Sequence, residues 1–420
     1  MDLLNDLRAR GLVHDSTDPD ALSARLGKGP IGVYVGFDPT ADSLHVGHLL
    51  GQLMLRRFQM AGHKPFPLAG GATGMVGDPS GRSEERNLLD SETLANNVTK
   101  ISLQLQRLLD FSGSNAATLV NNADWTRNVG VLDFLRDVGK HITVNQMMAK
   151  ESVKNRLAGE QGLSFTEFSY MLLQANDFRH LYEHHNVELQ MGGSDQWGNI
   201  TAGTDLIRKA LSGSGYGLTW PLVTKSDGTK FGKTADGAVW LDPARTSPYQ
   251  FRQFWIQQSD DDAIKFVRQF SLASLSDCEA VIAEHLAAPE KRIAQKSIAD
   301  EMTSLVHGDD TTRAAVAAAE ILFGGDPTTA SADALLAVAG EVPSSTVSAA
   351  SLSDLFALMQ SCGLATSNGD ARRTLSQGGV RANGQVLTPD TDLGAIPRLQ
   401  GRWLLLRKGK TNYHLLDIAG

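Results

Sequence analysis

The stretch "IGVYVGFDPTADSLHVGH", residues 31–48, decides how this chain folds. Its first seven residues form a short, β-rich apolar run bounded by Gly and Pro, the pattern of a buried strand. The run that follows, "LLGQLMLRRFQMAG", has helical spacing. A strand that passes through a Gly- and Thr-containing turn into a helix presents unpaired backbone N–H groups and a positive dipole end, which together attract anions. His45 and His48 are three apart and share one helix face. Gly47 between them lets a flat ligand press against the backbone. Thr40 and His45 can donate hydrogen bonds to phosphate oxygens, and His48 can contact a nucleotide. The same residues could be a plain helix start with two solvated or core histidines. A zinc pair would need a third ligand, and none stands nearby.

Outward from this turn, strands and helices alternate. "KPFPLAGGATGMVGDPSG" reads as a second strand ending in a glycine-rich turn, "TLVNNADW" as a third, and "VELQMGG" as a further one. Helical patterns separate them: "SETLANNVTKISLQLQRLLDF", "FTEFSYMLLQANDFRHLYEHH" and "SDQWGNITAGTDLIRKAL". This predicts an α/β fold with a doubly wound, parallel, Rossmann-like sheet over residues 1–224. Residues 225–246 read as a mobile loop and connector, 247–323 as an α-helical domain, and 324–350, rich in Gly, Ala, Ser, Thr and Pro, as a linker. Residues 351–420 read as a small α+β module of two short helices running into a turn and strand.

The length, 420 residues, is too great for one ordinary core and fits several domains. A net charge of -8 argues against a chain coated in nucleic acid. Residues 351–420, however, carry 8 Lys+Arg against 5 Asp+Glu, or +3, leaving -11 for the rest, so this tail could touch RNA locally. Two distant cysteines, Cys278 and Cys362, exclude a disulfide framework and fit a reducing cytoplasm. No apolar run is long enough to cross a bilayer, and "MDLLNDLRAR" is an amphipathic start rather than a signal peptide. "RHLYEHHNVE" concentrates three histidines and two acids, which reads as a solvated helix end before it reads as a metal site.

A second element gives the histidine turn its meaning. "SDGTKFGKTADG" places Lys230 and Lys233 among Gly228, Gly232 and Gly237, so two lysines could swing onto a polyphosphate. Alone it could be a polar hairpin. Together, "HVGH" and "KFGKT" resemble the two signatures of the class I aminoacyl-tRNA synthetases, HIGH and KMSKS. "YVGFDPTADSLHVGH", "GDPSGRSEER", "SYMLLQANDF" and "MGGSDQWGNI" narrow the resemblance to the bacterial tyrosyl family, and it covers essentially the whole chain.

The resemblance implies roles. Tyr34 and Asp177 would hydrogen-bond the phenol hydroxyl of tyrosine. Tyr170, Gln174 and Asp78 would hold its ammonium group, with Gln196 and Gln190 nearby and Thr73 lining the pocket. Gly36, Asp38, Gly47, Gly192, Asp195 and Lys233 would meet ATP or the adenylate. Thr40, His45, His48, Lys230 and Lys233 would stabilise the transition state of tyrosine activation. ATP with Mg2+ is then a substrate, with no tightly bound cofactor and no dedicated metal cage. The partners implied are L-tyrosine, ATP, tyrosine tRNA and a second copy of the chain, whose interface would lie in "FLRDVGKHITVNQMMAKESVKNRL".

The tail resembles the small RNA-binding fold shared with a ribosomal small-subunit protein, on "ARRTLSQGGVRANGQVL", with Arg372, Arg373 and Arg381 able to meet phosphates. Two departures stand out. Asn176 replaces an aromatic associated with the family, and "KFGKT" differs from KMSKS at three positions while keeping both lysines. The rivals are a tryptophanyl enzyme of the same fold, a shorter nucleotidyltransferase with a similar HxGH turn, and a catalytically silent RNA-binding paralogue.

Overall fold

The structure is a computed structural model that describes residues 2–80, 89–158, 162–226, 228, 231–234 and 237–419. Contacts divide the chain into two units: Met1–Arg245 with Trp255–Ile298, and Thr246–Phe254 with Ala299–Gly420.

The first unit is built on a five-stranded parallel sheet. Its strands are β1 (Gly32–Phe37), β2 (Lys64–Ala69), β3 (Val120–Asn121), β4 (Val187–Gly193) and β5 (Tyr216–Trp220), in the order β3-β2-β1-β4-β5. The chain therefore winds outward twice from β1, and the strand order reverses between β1 and β4. In a doubly wound sheet, the crevice beyond the carboxyl ends of such a pair is where ligands bind. The expected strands are present, but β3 keeps only two residues. Pro65 and Pro67 of β2 account for this. The Lys64 N–H donates to the Ile31 carbonyl on the β1 side, so the alternate positions 65 and 67 turn toward β3, where proline has no N–H to give. Pairing with β3 starts only at Leu68↔Val120.

Helix Val46–Met60 follows β1 and buries Leu49, Leu50, Leu53, Met54 and Phe58. Helix Phe165–His185 leads into β4, starting at a Ser164 cap and ending at Asn186 in the left-handed conformation, φ 54°. After β5 the loop residues form a small hairpin, β6 (Lys233–Thr234) with β7 (Gly237–Ala238).

The helical region expected over 247–323 carries five α-helices between Pro248 and Leu322. It is not one body, because the division into units runs through it.

The second unit holds another five-stranded sheet, β8 (Ser344–Ser348), β9 (Val380–Ala382), β10 (Gln385–Val386), β11 (Trp403–Lys408) and β12 (Asn412–Ala419), in the order β10-β9-β11-β12-β8. Helices Leu355–Ser361 and Asn368–Ser376 precede β9, as the sequence pattern predicts. The expected linker, 324–350, needs correction. Helix Ala332–Ala339 buries Ala334, Leu335 and Val338, and β8 pairs in parallel with β12 from Ser344↔Leu415 to Ser348↔Ala419. Alanines that read as an unstructured composition pack here because small side chains allow close approach. The partner of β8 lies some seventy residues further along the chain, so no local pattern announces it.

Candidate active site

The histidine turn is a helix cap. The Gly47 N–H donates to His45 Nδ1 at 3.0 Å, and the His45 N–H donates to His48 Nδ1 at 3.2 Å, a reciprocal capping box built from two imidazoles. A nitrogen that accepts an N–H carries no proton, so each neutral ring has its hydrogen on Nε2. The rings stack with centroids 3.9 Å apart and planes 30° apart. Gly47 is required for this arrangement. A Cβ there would stand 2.8 Å from His45 Cε1 and 2.9 Å from Nδ1. The spacing that drew attention in the sequence thus fixes two donors on one helix start.

The lysine loop returns to the same turn. Val239 accepts from the Val46 N–H at 2.9 Å, Leu44 accepts from the Leu241 N–H at 2.8 Å, and His45 bridges Trp240 between them. Gly232, at φ +79°, would carry a Cβ 2.7 Å from Val46 Cγ2. The backbone before Lys233 therefore lies against the histidine turn. Lys230, the side chain of Lys233 and residues 81–86 of "GDPSGRSEER" lie outside the described residues.

A polar network fills the sheet crevice. Asp177, fully buried on helix Phe165–His185, accepts from Asn122 Nδ2 and from Trp125 Nε1, both at 2.9 Å. Asn122 Nδ2 also donates to Thr73 Oγ1 at 3.0 Å. Thr73 Oγ1 donates to Asp38 Oδ1 at 2.8 Å, and the Tyr170 hydroxyl donates to Asp38 Oδ2 at 2.8 Å. Asp38, grouped from the sequence with the nucleotide residues, is thus tied to Thr73 and Tyr170, which the sequence grouped with the amino acid. A second arm runs from Asp78, which accepts from Ser80 N–H at 2.9 Å and Gln196 Nε2 at 2.8 Å. Asn199 Nδ2 connects Gln196 Oε1 at 3.3 Å with Gln174 Oε1 at 3.0 Å. Tyr170, Gln174 and Asp177 follow at helical spacing, so one helix face joins both arms.

Two polar atoms in this crevice have no hydrogen-bond partner among the described residues. They are the Tyr34 hydroxyl and Gln190 Oε1, on side chains 1% and 2% exposed. Tyr34 and Gln190 are register partners on β1 and β4, at the reversal of strand order. Burial, and then the charge of Asp177, push the Tyr34 phenol well up from its ordinary range. Burial pushes the Asp177 carboxyl up to about 7 against the two bonds that lower it, with Asp38 adding to the rise. Asp195 is raised as well, chiefly by burial, while its contact with Gln196 lowers it and Asp78 raises it.

Three glycines admit neighbouring side chains or ligand. Gly36 is exposed near the end of β1. A Cβ at Gly192 would meet Gln196 Cβ at 2.9 Å, and one at Gly70 would fall 2.3 Å from Asp38 Oδ1 and 2.5 Å from Thr73 Oγ1. Thr40 sits exposed in the turn, its N–H on the Asp38 carbonyl at 2.9 Å. Arg372, Arg373 and Arg381 belong to the second unit, where all three are exposed. Arg373 pairs with Asp370 at 2.8 Å, Arg372 lies over the Phe356 ring at 5.4 Å, and Arg381 donates to the Gly384 carbonyl at 2.9 Å. Among the described residues, no group of three or more His, Cys, Asp or Glu could hold a metal ion.

Asn122, Trp125, Gly70, Ser80 and Asn199 escaped the sequence reading. For Asn122 and Trp125 the one legible signal was position, since they stand toward the end of "TLVNNADW", read as a strand, and strand ends are where ligands gather.

The chain also matches known proteins. Residues 26–324 match the family model described as tRNA synthetases class I (W and Y), and residues 335–416 match the Tyrosine--tRNA ligase SYY-like C-terminal domain. The chain is 52% identical over 425 residues to a tyrosine–tRNA ligase of Opitutus terrae, and 49% identical over 425 residues to one of Geobacillus stearothermophilus. Each alignment covers 100% of both chains. Among solved structures it resembles a C-terminally truncated Aspergillus nidulans mitochondrial tyrosyl-tRNA synthetase, with TM-score 0.70 and 31% identity, covering 77% of this chain and 94% of that one.

Proposed function

This chain belongs to the class I tRNA synthetases (W and Y), and from that premise we propose that it is a tyrosine–tRNA ligase acting through the crevice described above. In the first step the tyrosine carboxylate attacks the α-phosphate of ATP, pyrophosphate leaves, and tyrosyl-adenylate forms. In the second, the tyrosyl group passes to the 3′ end of tyrosine tRNA.

One observation carries the amino-acid assignment. The Tyr34 hydroxyl is buried without a hydrogen-bond partner among the described residues, within the field of the buried Asp177 carboxyl, which two hydrogen bonds hold in place. A phenol hydroxyl placed there satisfies both groups. Phenylalanine would leave the Tyr34 hydroxyl unpaired and Asp177 short of a hydrogen bond, a discrimination best known from tyrosyl enzymes themselves. Tyr170, Gln174, Asp78 and Gln196 then face the ammonium group, with Thr73 and Gln190 completing the pocket. Gly36, Asp38, Gly47, Gly192 and Asp195 border the adenylate.

Activation needs no protein nucleophile. It needs the carboxylate and α-phosphate aligned, and the charge developing on the phosphates met by fixed donors. The two Nε2 hydrogens of His45 and His48 are such donors, held by the cap before ATP arrives. Thr40, Lys230 and Lys233 add to them. Magnesium comes with ATP, as it does for most nucleotide substrates. Arg372, Arg373 and Arg381 meet tRNA phosphates. No helix among the described residues is long and apolar enough to cross a membrane, and we place the enzyme in the cytoplasm, where tRNA is charged.

A homodimer is part of this proposal. Val131, Leu132, Leu135, Val144 and Met148 expose large apolar side chains within one short stretch, Leu132 at 78%. Patches of this kind mark interaction surfaces.

The test is ATP–pyrophosphate exchange with tyrosine, tryptophan and phenylalanine. Exchange with tyrosine alone is expected. Tryptophan-dependent exchange would overturn the phenol assignment, and no exchange with any of them would overturn the enzyme.

A further inference from the structure

Beyond Asp177, helix Phe165–His185 carries imidazoles that neither reaction step uses. The His180 ring lies flat on the Trp125 indole, centroids 4.4 Å apart and planes 14° apart. His184 follows at 4.5 Å from His180 and His185 at 6.1 Å, and His185 meets the Phe66 ring edge-on at 5.7 Å. Trp125 packs against the cluster of Tyr34, Phe66, Phe178 and Leu181 that backs the crevice, and its Nε1 hydrogen goes to Asp177 Oδ1.

Trp125 stands on a short element. It sits half-buried on a helix of only four residues, Ala123–Thr126, too short to be stable on its own. Its orientation matters, because Asn122 bonds only Asp177 Oδ2. One bond leaves a carboxylate able to turn about its Cβ–Cγ axis. Two bonds, one to each oxygen, fix its plane.

We propose that His180 is a positioning residue for the tyrosine pocket, clamping the face of Trp125 so that the indole holds Asp177 toward the phenol hydroxyl. The proposal rests on Asp177 recognising that hydroxyl. The ring suits the task because it is neutral. Burial first, then His184, His185 and Arg179, hold the His180 imidazolium down to about 4. At neutral pH it therefore stacks as an uncharged aromatic and puts no positive charge behind the indole.

The experiment is pyrophosphate exchange by wild type, His180→Ala and His180→Phe, with tyrosine and phenylalanine, after thermal melts show all three folded. Tyrosine-dependent exchange by wild type is measured first, and its absence would overturn the functional reading and this proposal with it. Given that activity, His180→Ala should raise KM for tyrosine about three- to tenfold, the range of an offset aromatic stack. Preference over phenylalanine should fall by a similar factor, with kcat and KM for ATP little changed. His180→Phe, which keeps a flat ring, should restore the wild-type KM. An active His180→Ala enzyme with unchanged KM for tyrosine would overturn the proposal alone. So would a His180→Phe enzyme that behaves like the alanine variant.

Discussion

His45 and His48 stack face against face at 3.9 Å, and each uses Nδ1 to cap the helix they begin. Structure and the proposed chemistry are thus divided between the two nitrogens of one ring: Nδ1 holds the helix, and Nε2 is the donor proposed for the phosphates. The two roles can be separated. Asparagine caps as well as any residue but lacks the Nε2 donor. His45→Asn should therefore keep wild-type stability while the rate of activation falls about 10²- to 10³-fold. His45→Ala should lose the rate and also about 1 kcal/mol of stability. Single-turnover adenylate formation and urea melts of both variants check this. Tyrosine affinity, measured at equilibrium, should change little in either.

Asp177 leaves a signature in the pH dependence of stability. Its carboxyl keeps its proton up to about 7 in the folded chain, against 3.8 for an unperturbed one. Between those values the unfolded chain has released a proton that the folded chain retains. The native state binds more protons, so stability falls as pH rises through this window and stays lower above it. The effect is on the order of a few kcal/mol. In Asp177→Asn the slope from this group vanishes, while the altered hydrogen bonds to Asn122 and Trp125 add an offset independent of pH. The melting temperature of the variant minus that of wild type should therefore climb from pH 4.5 to pH 7.5. A flat difference would show that Asp177 titrates normally. Exchange activity with tyrosine should be lost throughout.

Gly70 keeps Asp38 and Thr73 together. A methyl group there would lie within 2.5 Å of both side-chain oxygens, closer than any real contact. Gly70→Ala should push Asp38 off Tyr170 and Thr73, raise KM for tyrosine about tenfold or more, and lower stability by about 1–3 kcal/mol. Exchange kinetics alongside a thermal melt measure both. A variant with wild-type KM would show that the Asp38 network is incidental to the pocket.

The apolar patch around Leu132 predicts the assembly. Leu132→Glu places a charge at a side chain 78% exposed in one chain, where it costs a monomer almost nothing. In a dimer that buries this surface it would cost several kcal/mol. Sedimentation should show wild type as a dimer and the variant as a monomer with an unchanged melting curve at low concentration. Two species of equal mass would place the interface elsewhere.

Local patterns were enough for much of this molecule. The alternation of apolar runs named β1, β2 and β4, and the helices between them. The spacing of His45, Gly47 and His48 marked the helix start and its donors, while the structure showed that His45 stands outside the helix as its cap. The family motifs pointed to Tyr34, Asp177, Tyr170 and Gln174. What periodicity could not carry was contact across distance. Asn122 and Trp125 reach Asp177 from 55 and 52 residues away, and β8 pairs with β12, which lies at the far end of the second unit's sequence. An Asp looks the same in a sequence whether water or a buried indole stands beside it. The sequence by itself determined the strands and helices that frame the crevice and pointed to its motif residues Tyr34, Tyr170, Gln174 and Asp177. Tertiary structure alone decided the protonation of Asp177, the isolation of the Tyr34 hydroxyl and the stack behind Trp125, because burial and long-range hydrogen bonding exist only when distant segments pack together.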